Sequence, residues 1–105
     1  MTDLEDQQDI KTPENYSLLQ NYPNPFNGET TIEFQVSHES NVKLEIFDVL
    51  GQKVKTLVDE QKLPGFYSIS WDSRNNDGKT MNSGVYFIRF IANNFSEVKK
   101  MMLLK

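Results

Sequence analysis

The side chains able to carry out chemistry are few and scattered in this 105-residue chain. His38 is the single histidine, it lies in a polar turn, and the chain contains no cysteine. Zinc sites and acid–base pairs need several such groups together, so we interpret His38 as a solvated loop residue. The sequence also lacks a nucleophile–base pair, a phosphate-binding glycine loop and paired carboxylates. It therefore predicts a domain that is not an enzyme and uses no cofactor.

The nearest match to a metal site is the polar stretch 72–78. Asp72, Asn75 and Asp77 offer the oxygen ligands that calcium prefers, at part of the spacing of a calcium loop. Serine and glycine stand where such a loop needs its first aspartate and its bidentate glutamate. A turn held by side-chain-to-backbone hydrogen bonds is the alternative, and we predict no metal here.

Composition narrows the functional classes further. The net charge of −4 and the pI near 4.9 argue against a nucleic-acid surface, which needs clustered positive charge. No apolar run is long enough to cross a bilayer. Residues 1–15 are polar and acidic, without a secretory leader, so we expect a flexible linker or the cut edge of a longer protein, with residues 16–105 as the folded domain.

Strand patterns dominate the rest of the chain. Apolar and polar residues alternate over 30–36, 42–46 and 67–71, as in antiparallel strands with one buried face. We predict an all-β, Ig-like antiparallel β-sandwich of about seven strands, with Trp71 as a core anchor and Tyr86 as a corner tyrosine. The predicted strands cover residues 17–21, 30–36, 41–49, 53–59, 65–72, 83–92 and 96–104.

The register of the last hairpin has two solutions. A two-residue turn at Asn93-Asn94 places Phe90 opposite Glu97, and so puts charge on the apolar face. A three-residue turn or a bulge shifts the register by one and places Phe90 opposite Val98. The shifted register also sets Tyr86 against Met102. We predict the shifted register.

A proline-aromatic segment precedes the first long strand. Proline lacks the amide hydrogen and fixes φ, so the segment cannot continue a helix or a ladder. We predict a rigid clasp in which Tyr22 and Phe26 close one end of the sandwich and the prolines protect its first edge. The segment reads Tyr22-Pro23-Asn24-Pro25-Phe26-Asn27.

Taken in order, the motifs of this chain resemble the type A C-terminal sorting domain of the type IX (Por) secretion system of Bacteroidetes. They also resemble a related Ig-like domain of flagellar hook-capping proteins. The family often has a third proline in the stretch that here reads Asn27-Gly28-Glu29-Thr30, and that difference changes a loop. The motifs are Tyr22 to Asn27, Thr31-Ile32-Glu33-Phe34, Val42 to Gly51, Gly65-Phe66-Tyr67, Trp71-Asp72, Ser83 to Phe87 and Lys99 to Lys105.

The resemblance implies a non-catalytic secretion signal and surface-attachment domain of a larger exported protein. Its implied partners are the outer-membrane type IX machinery, the parent N-terminal domain and, after processing, surface lipopolysaccharide. Its implied locations are the periplasm in transit and then the cell surface or the medium. The last strand is expected to offer a free edge for strand addition by the translocon. The implied recognition residues are Gly84, Tyr86, Lys99, Lys100, Met101, Met102, Leu103, Leu104 and Lys105.

Two other functions fit the residues. Phe47, Phe66 and Phe87 are out of phase with the core face, so exposed rings are one basis for a carbohydrate- or surface-polymer-binding module. A purely structural Ig-like spacer is the other alternative.

Overall fold

The computed structural model describes residues 12–105, and β-strands are the only regular secondary structure in that part of the chain. The predicted linker, residues 1–15, lies mostly outside the described residues. The prediction of seven strands is confirmed, and the strand ends differ from the predicted ones by at most three residues. The strands are β1 (Ser17–Leu18), β2 (Thr30–Val36), β3 (Ser40–Phe47), β4 (Lys53–Lys62), β5 (Gly65–Trp71), β6 (Gly84–Ala92) and β7 (Phe95–Leu103).

The strands form two antiparallel sheets that face each other as a sandwich. One sheet has the order β1-β2-β5 and the other has the order β4-β3-β6-β7. This arrangement corresponds to the A-B-E and C-F-G strands of an Ig-like fold, with β4 added beside the C strand. The predicted fold class is confirmed. The last strand, β7, lies at an edge of the four-stranded sheet.

Alternation of side chains places the core between the sheets. In β2 the buried residues Ile32, Phe34 and Val36 alternate with more exposed neighbours, because successive side chains of a strand point to opposite faces. Trp71 is 1% exposed, and its indole nitrogen donates a hydrogen bond to the carbonyl oxygen of Arg74 at 2.9 Å. Burial of this side chain contributes roughly 5 kcal/mol before entropy is subtracted. Trp71 is the core anchor that the sequence predicts.

The last hairpin does not have the predicted register. Asn93-Asn94 forms a two-residue turn, and Phe90 lies opposite Glu97. Asn93 has a φ of 54°, a left-handed conformation that asparagine tolerates and tight hairpin turns use. The prediction of a shifted register is therefore wrong. In the observed register Ile88 lies opposite Lys99, and Tyr86 lies opposite Met101.

The edge position of β7 explains how charged residues fit on the inner side of this strand. Glu97 Oε1 accepts a hydrogen bond from the amide of Leu18 in the other sheet at 3.0 Å. Glu97 Oε2 lies 3.4 Å from Lys99 Nζ. The first contact joins the two sheets along one side of the sandwich and the second pairs the two charges within β7, so the charges remain at the margin and do not enter the core.

Candidate functional site

The last strand alternates between core side chains and exposed side chains. Met101 and Leu103 are fully buried, whereas Lys100, Met102 and Leu104 are exposed. A partner can touch the exposed side chains without disturbing the fold. The buried side chains can only hold the strand in place. Lys105 is also exposed, and Lys99 is half-buried.

The backbone edge of this strand is covered near its end by the proline-aromatic segment, residues 22–27. The amide of Phe26 donates to the carbonyl oxygen of Met102 at 3.0 Å, and the carbonyl oxygen of Phe26 accepts from the amide of Leu104 at 2.9 Å. The amide of Met102 donates to Asn24 Oδ1 at 2.9 Å. The expectation of a free terminal edge is therefore wrong for this part of β7, because its outward-pointing backbone groups already have partners.

Hydrogen bonds from a buried asparagine fix the path of this segment. Asn21 is 2% exposed, and its Nδ2 donates to the carbonyl oxygen of Pro23 at 3.1 Å and to Thr30 Oγ1 at 3.0 Å. Thr30 Oγ1 in turn donates to the same Pro23 oxygen at 2.8 Å. The Tyr22–Pro23 and Asn24–Pro25 peptide bonds are both cis. This network turns the chain so that Phe26 reaches the last strand.

The two aromatic rings of the segment have different environments. Phe26 is 2% exposed and packs on Trp71, with ring centroids 5.8 Å apart, so it closes the end of the sandwich as predicted. Tyr22 is 80% exposed, and that half of the prediction is wrong. Tyr22 pairs through its backbone with Thr31, an outward-facing residue of β2, so its ring lies outside. The segment covers part of two edges, because Tyr22 exchanges backbone hydrogen bonds with Thr31 of β2 and Phe26 exchanges them with the last strand.

Gly84 and Tyr86 lie in β6, the strand that pairs with the last strand in the same sheet. Gly84 has a φ of +153°, which residues with a side chain rarely adopt, and it pairs with Leu103. Tyr86 is 5% exposed, and its hydroxyl donates to the carbonyl oxygen of Asn82 at 2.7 Å, as in a tyrosine corner. Burial and the nearby charge of Asp48 raise the pKa of Tyr86. These two residues support the strand and present little surface to a partner.

The candidate calcium loop is held by its own side chains. Asp72 Oδ1 accepts from the amide of Arg74 at 3.1 Å, and Asn75 Oδ1 accepts from the amides of Asp77 and Lys79 at 3.0 and 2.9 Å. These contacts match the alternative of a side-chain-supported turn. Across residues 12–105, no three His, Asp or Glu side chains are grouped as a metal would need. His38 is exposed in the bend between β2 and β3.

A buried ionic cluster on the outer side of the four-stranded sheet escaped the sequence analysis. Glu45 is 3% exposed although its strand parity points it outward. Its carboxylate lies 2.9 Å from Lys53 Nζ and accepts a hydrogen bond from Arg89 Nη2 at 3.0 Å. Burial alone raises the pKa of Glu45, but the hydrogen bonds and charges of Lys53 and Arg89 outweigh it and leave the pKa below its ordinary value. In the sequence, Glu45 stands two residues from Lys43 and two from Phe47, on the same face of the strand. Alternation with period two assigns that face to solvent.

Fold and site together define an Ig-like β-sandwich whose distinctive feature is a C-terminal strand clasped by a proline-aromatic segment. In the described part of the chain, no helix is suited to crossing a membrane. The chain belongs to the family "Secretion system C-terminal sorting domain", whose sequence profile matches residues 20–104. Domains of this family act as secretion signals of exported proteins and are not catalytic, and the type IX secretion machinery recognises them.

Several solved structures share the fold. Dimeric latent PorU from Porphyromonas gingivalis superposes with a TM-score of 0.68 at 20% identity, over 90% of this chain and 10% of that chain. PorZ of the same bacterium, a surface component of the type IX secretion system, gives 0.57 at 19% identity over 88% of this chain and 12% of its own. FlgD from Xanthomonas campestris, a hook-capping protein, gives 0.55 at 25% identity over 71% of this chain and 55% of its own. The comparison with curated proteins gave no match.

Proposed function

We propose that residues 16–105 are the sorting domain of a larger exported protein and that residues 1–15 connect it to its cargo. In this proposal the protein passes through the periplasm, and the outer-membrane type IX translocon recognises the folded domain. The cargo then stays at the cell surface or is released, with attachment to surface lipopolysaccharide following removal of the domain.

The observation that carries this proposal is that buried and exposed side chains alternate along the end of the last strand. Buried anchors hold the strand, while Lys100, Met102, Leu104 and Lys105 face solvent within the last six residues. We propose that this exposed set, with half-buried Lys99, is what the translocon reads. In this account Gly84 and Tyr86 act only by positioning, as do the core residues Met101 and Leu103.

Surface display of a fused reporter tests the proposal. Residues 12–105 are fused to a periplasmic reporter in a bacterium that has the type IX system, and we expect the reporter at the cell surface. Deletion of residues 101–105 should trap it in the periplasm. Because that deletion removes two core side chains, a fold-preserving variant is also needed.

The double substitution Leu104→Ser with Lys105→Ser serves that purpose, since both side chains are exposed. The matched control is Leu63→Ser with Lys79→Ser, which removes an exposed leucine and an exposed lysine elsewhere on the domain. Display should fall with the terminal pair and persist with the control. Display that persists after both the deletion and the terminal double substitution would refute the proposal that the end of the last strand is the secretion signal.

A glycan-binding role is the second candidate, and one observation favours it. Phe66 is 61% exposed, and it pairs with Gln35 while Tyr22 pairs with Thr31 on the same face of the three-stranded sheet. Two exposed rings on one flat face suit stacking on sugars. Affinity gels with bacterial surface polysaccharide test this candidate, and Phe66→Ala should abolish any retardation that reflects it.

A further inference from the structure

The covered edge of the last strand restricts how a partner can recognise it. Backbone pairing by strand addition requires unpaired amide and carbonyl groups along an edge. At Met102 and Leu104 those groups bond to the proline-aromatic segment. The carbonyl oxygen of Lys100 also accepts a hydrogen bond from Gln20 Nε2 at 2.8 Å. A partner that meets the covered end of β7 therefore reads side chains, and β7 shows these on the outer face of its sheet.

The outer face of the four-stranded sheet is unusually apolar and cationic. On β6 and β7, Val85 lies opposite Met102 and Phe87 lies opposite Lys100, while Phe47 of β3 lies opposite Phe87. From strand spacings the backbone positions of the face span about 14 Å by 10 Å, an area that suits a weak, transient contact with a short segment. We call it the Arg89 face, and its members are Phe47, Val85, Phe87, Arg89, Lys100 and Met102.

Arg89 is fixed at one end of this face. Its guanidinium lies over the ring of Phe47, 4.6 Å from the centroid, and Nη2 donates to Glu45. The side chain remains 40% exposed, whereas Glu45 is 4% exposed. A partner therefore meets the cation and not the carboxylate. The guanidinium is held in position before any partner arrives, which reduces the entropy lost on binding.

The charge on this side of the sheet is opposite in sign to that of the chain. Four cationic side chains point outward with only two carboxylates, in a protein of net charge −4. Lys100 has no ion-pair partner among the described residues. The complement of such a face is a surface with carboxylates beside apolar side chains. The outward charges are Lys43, Lys53, Arg89 and Lys100 against Glu45 and Asp59.

We propose that the Arg89 face docks a protein segment that presents carboxylates beside apolar side chains. The inference rests on the proposed function, since it names the chemistry of the partner that reads the sorting domain. An anionic membrane is the less suitable occupant. Recruitment to anionic lipid usually needs a cluster of four to eight basic residues, and the excess on this face is smaller.

Charge reversal on the face tests the proposal in cells. In the reporter fusion, Lys100→Glu should lower surface display by about tenfold, equivalent to about 1.4 kcal/mol of binding free energy. Lys79→Glu is the matched control, because Lys79 is exposed in the loop between β5 and β6, away from this face. The control should stay within about twofold of the parent fusion. Thermal melts of both purified domains establish that each variant folds.

A second measurement is independent of secretion. Purified ¹⁵N-labelled chain is titrated with a synthetic peptide of glutamate, leucine and phenylalanine, with its lysine-for-glutamate counterpart, and with phosphatidylglycerol vesicles. The proposal predicts amide shifts at Phe87, Arg89 and Lys100 with the acidic peptide alone, and their loss in Lys100→Glu.

The outcomes separate the two claims. Failure of the parent fusion to reach the surface counts against the proposed function, while the titration still decides the chemistry of the face. Normal display of a folded Lys100→Glu fusion would overturn the docking inference and leave the sorting role standing. Shifts caused only by vesicles would assign the face to lipid, and shifts caused by none of the three probes, or equally by both peptides, would also overturn the inference.

Discussion

The contrast between the two rings of the proline-aromatic segment gives the sharpest stability prediction. Phe26→Ala removes a ring that is 2% exposed and packs on Trp71, with centroids 5.8 Å apart. Loss of such a ring costs about 3–5 kcal/mol from lost burial and the cavity that remains. For a domain of this size that corresponds to a drop of about 15–25 °C in Tm. Tyr22→Ala removes a ring that is 80% exposed, and should change stability by at most about 0.5 kcal/mol.

Urea and thermal unfolding of the two variants provide the assay, with the parent domain as reference. Both substitutions delete one aromatic ring from the same segment, so each controls for the composition of the other. Phe26→Ala should also speed amide exchange at Leu104, whose amide donates to the Phe26 carbonyl oxygen. Equal losses in the two variants, or a larger loss for Tyr22→Ala, would show that Phe26 is not the ring that closes the sandwich.

Three further predictions concern individual contacts. Asn24→Ala should cost about 1 kcal/mol and speed exchange of the Met102 amide, which loses its acceptor; unchanged exchange would contradict this. The pKa of folded Glu45 lies below its ordinary value of 4.5, so its stabilising effect exists above that pH and is lost in more acid solution. Urea midpoints of parent and Glu45→Gln should therefore differ at pH 7, and the difference should shrink as the pH falls below 4.5; a gap that widens in acid would contradict the ion cluster. Burial raises the pKa of Tyr86, so its stabilising effect exists below pH 10 and fades as the pH rises through the higher folded value. Tyr86→Phe should lose about 1 kcal/mol at pH 7 and less above pH 10, and an increasing loss would contradict this.

The sequence predicted the fold because the pattern of most strands is local. Alternation alone identifies Ile32, Phe34 and Val36 as the buried face of β2. Tyr86 after Gly84 likewise indicates a tyrosine corner. Turn residues between such runs give the number of strands. None of these features depends on which strands become neighbours.

The errors concern contacts between strands distant in sequence. The observed register of the last hairpin puts Glu97 on the inner side of β7, where the amide of Leu18 from the opposite sheet, 79 positions away, donates to it. The covered terminal edge depends on Asn24, which is 78 positions from Met102. Alternation assigns Glu45 to solvent, because it cannot reveal that two cations from neighbouring strands cover the carboxylate.

The predicted recognition residues fall into an exposed set and a buried set, and their order in the chain alone does not show which residue belongs to which set. Lys100 and Met101 are adjacent in sequence, yet one is exposed and the other is fully buried. The resemblance to a sorting family identifies the segment but not the atoms that a partner can touch. Of the predicted recognition residues, those exposed in the folded domain are Lys100, Met102, Leu104 and Lys105.

The most direct test of the central claim compares one fusion in two strains. Residues 12–105 are joined to a periplasmic reporter, and the protease-accessible fraction on intact cells is measured with the type IX translocon active and with it inactivated. A type IX sorting domain should give surface reporter only in the first strain and periplasmic reporter in the second. Equal surface fractions in both strains, or a reporter confined to the periplasm in both, would contradict it.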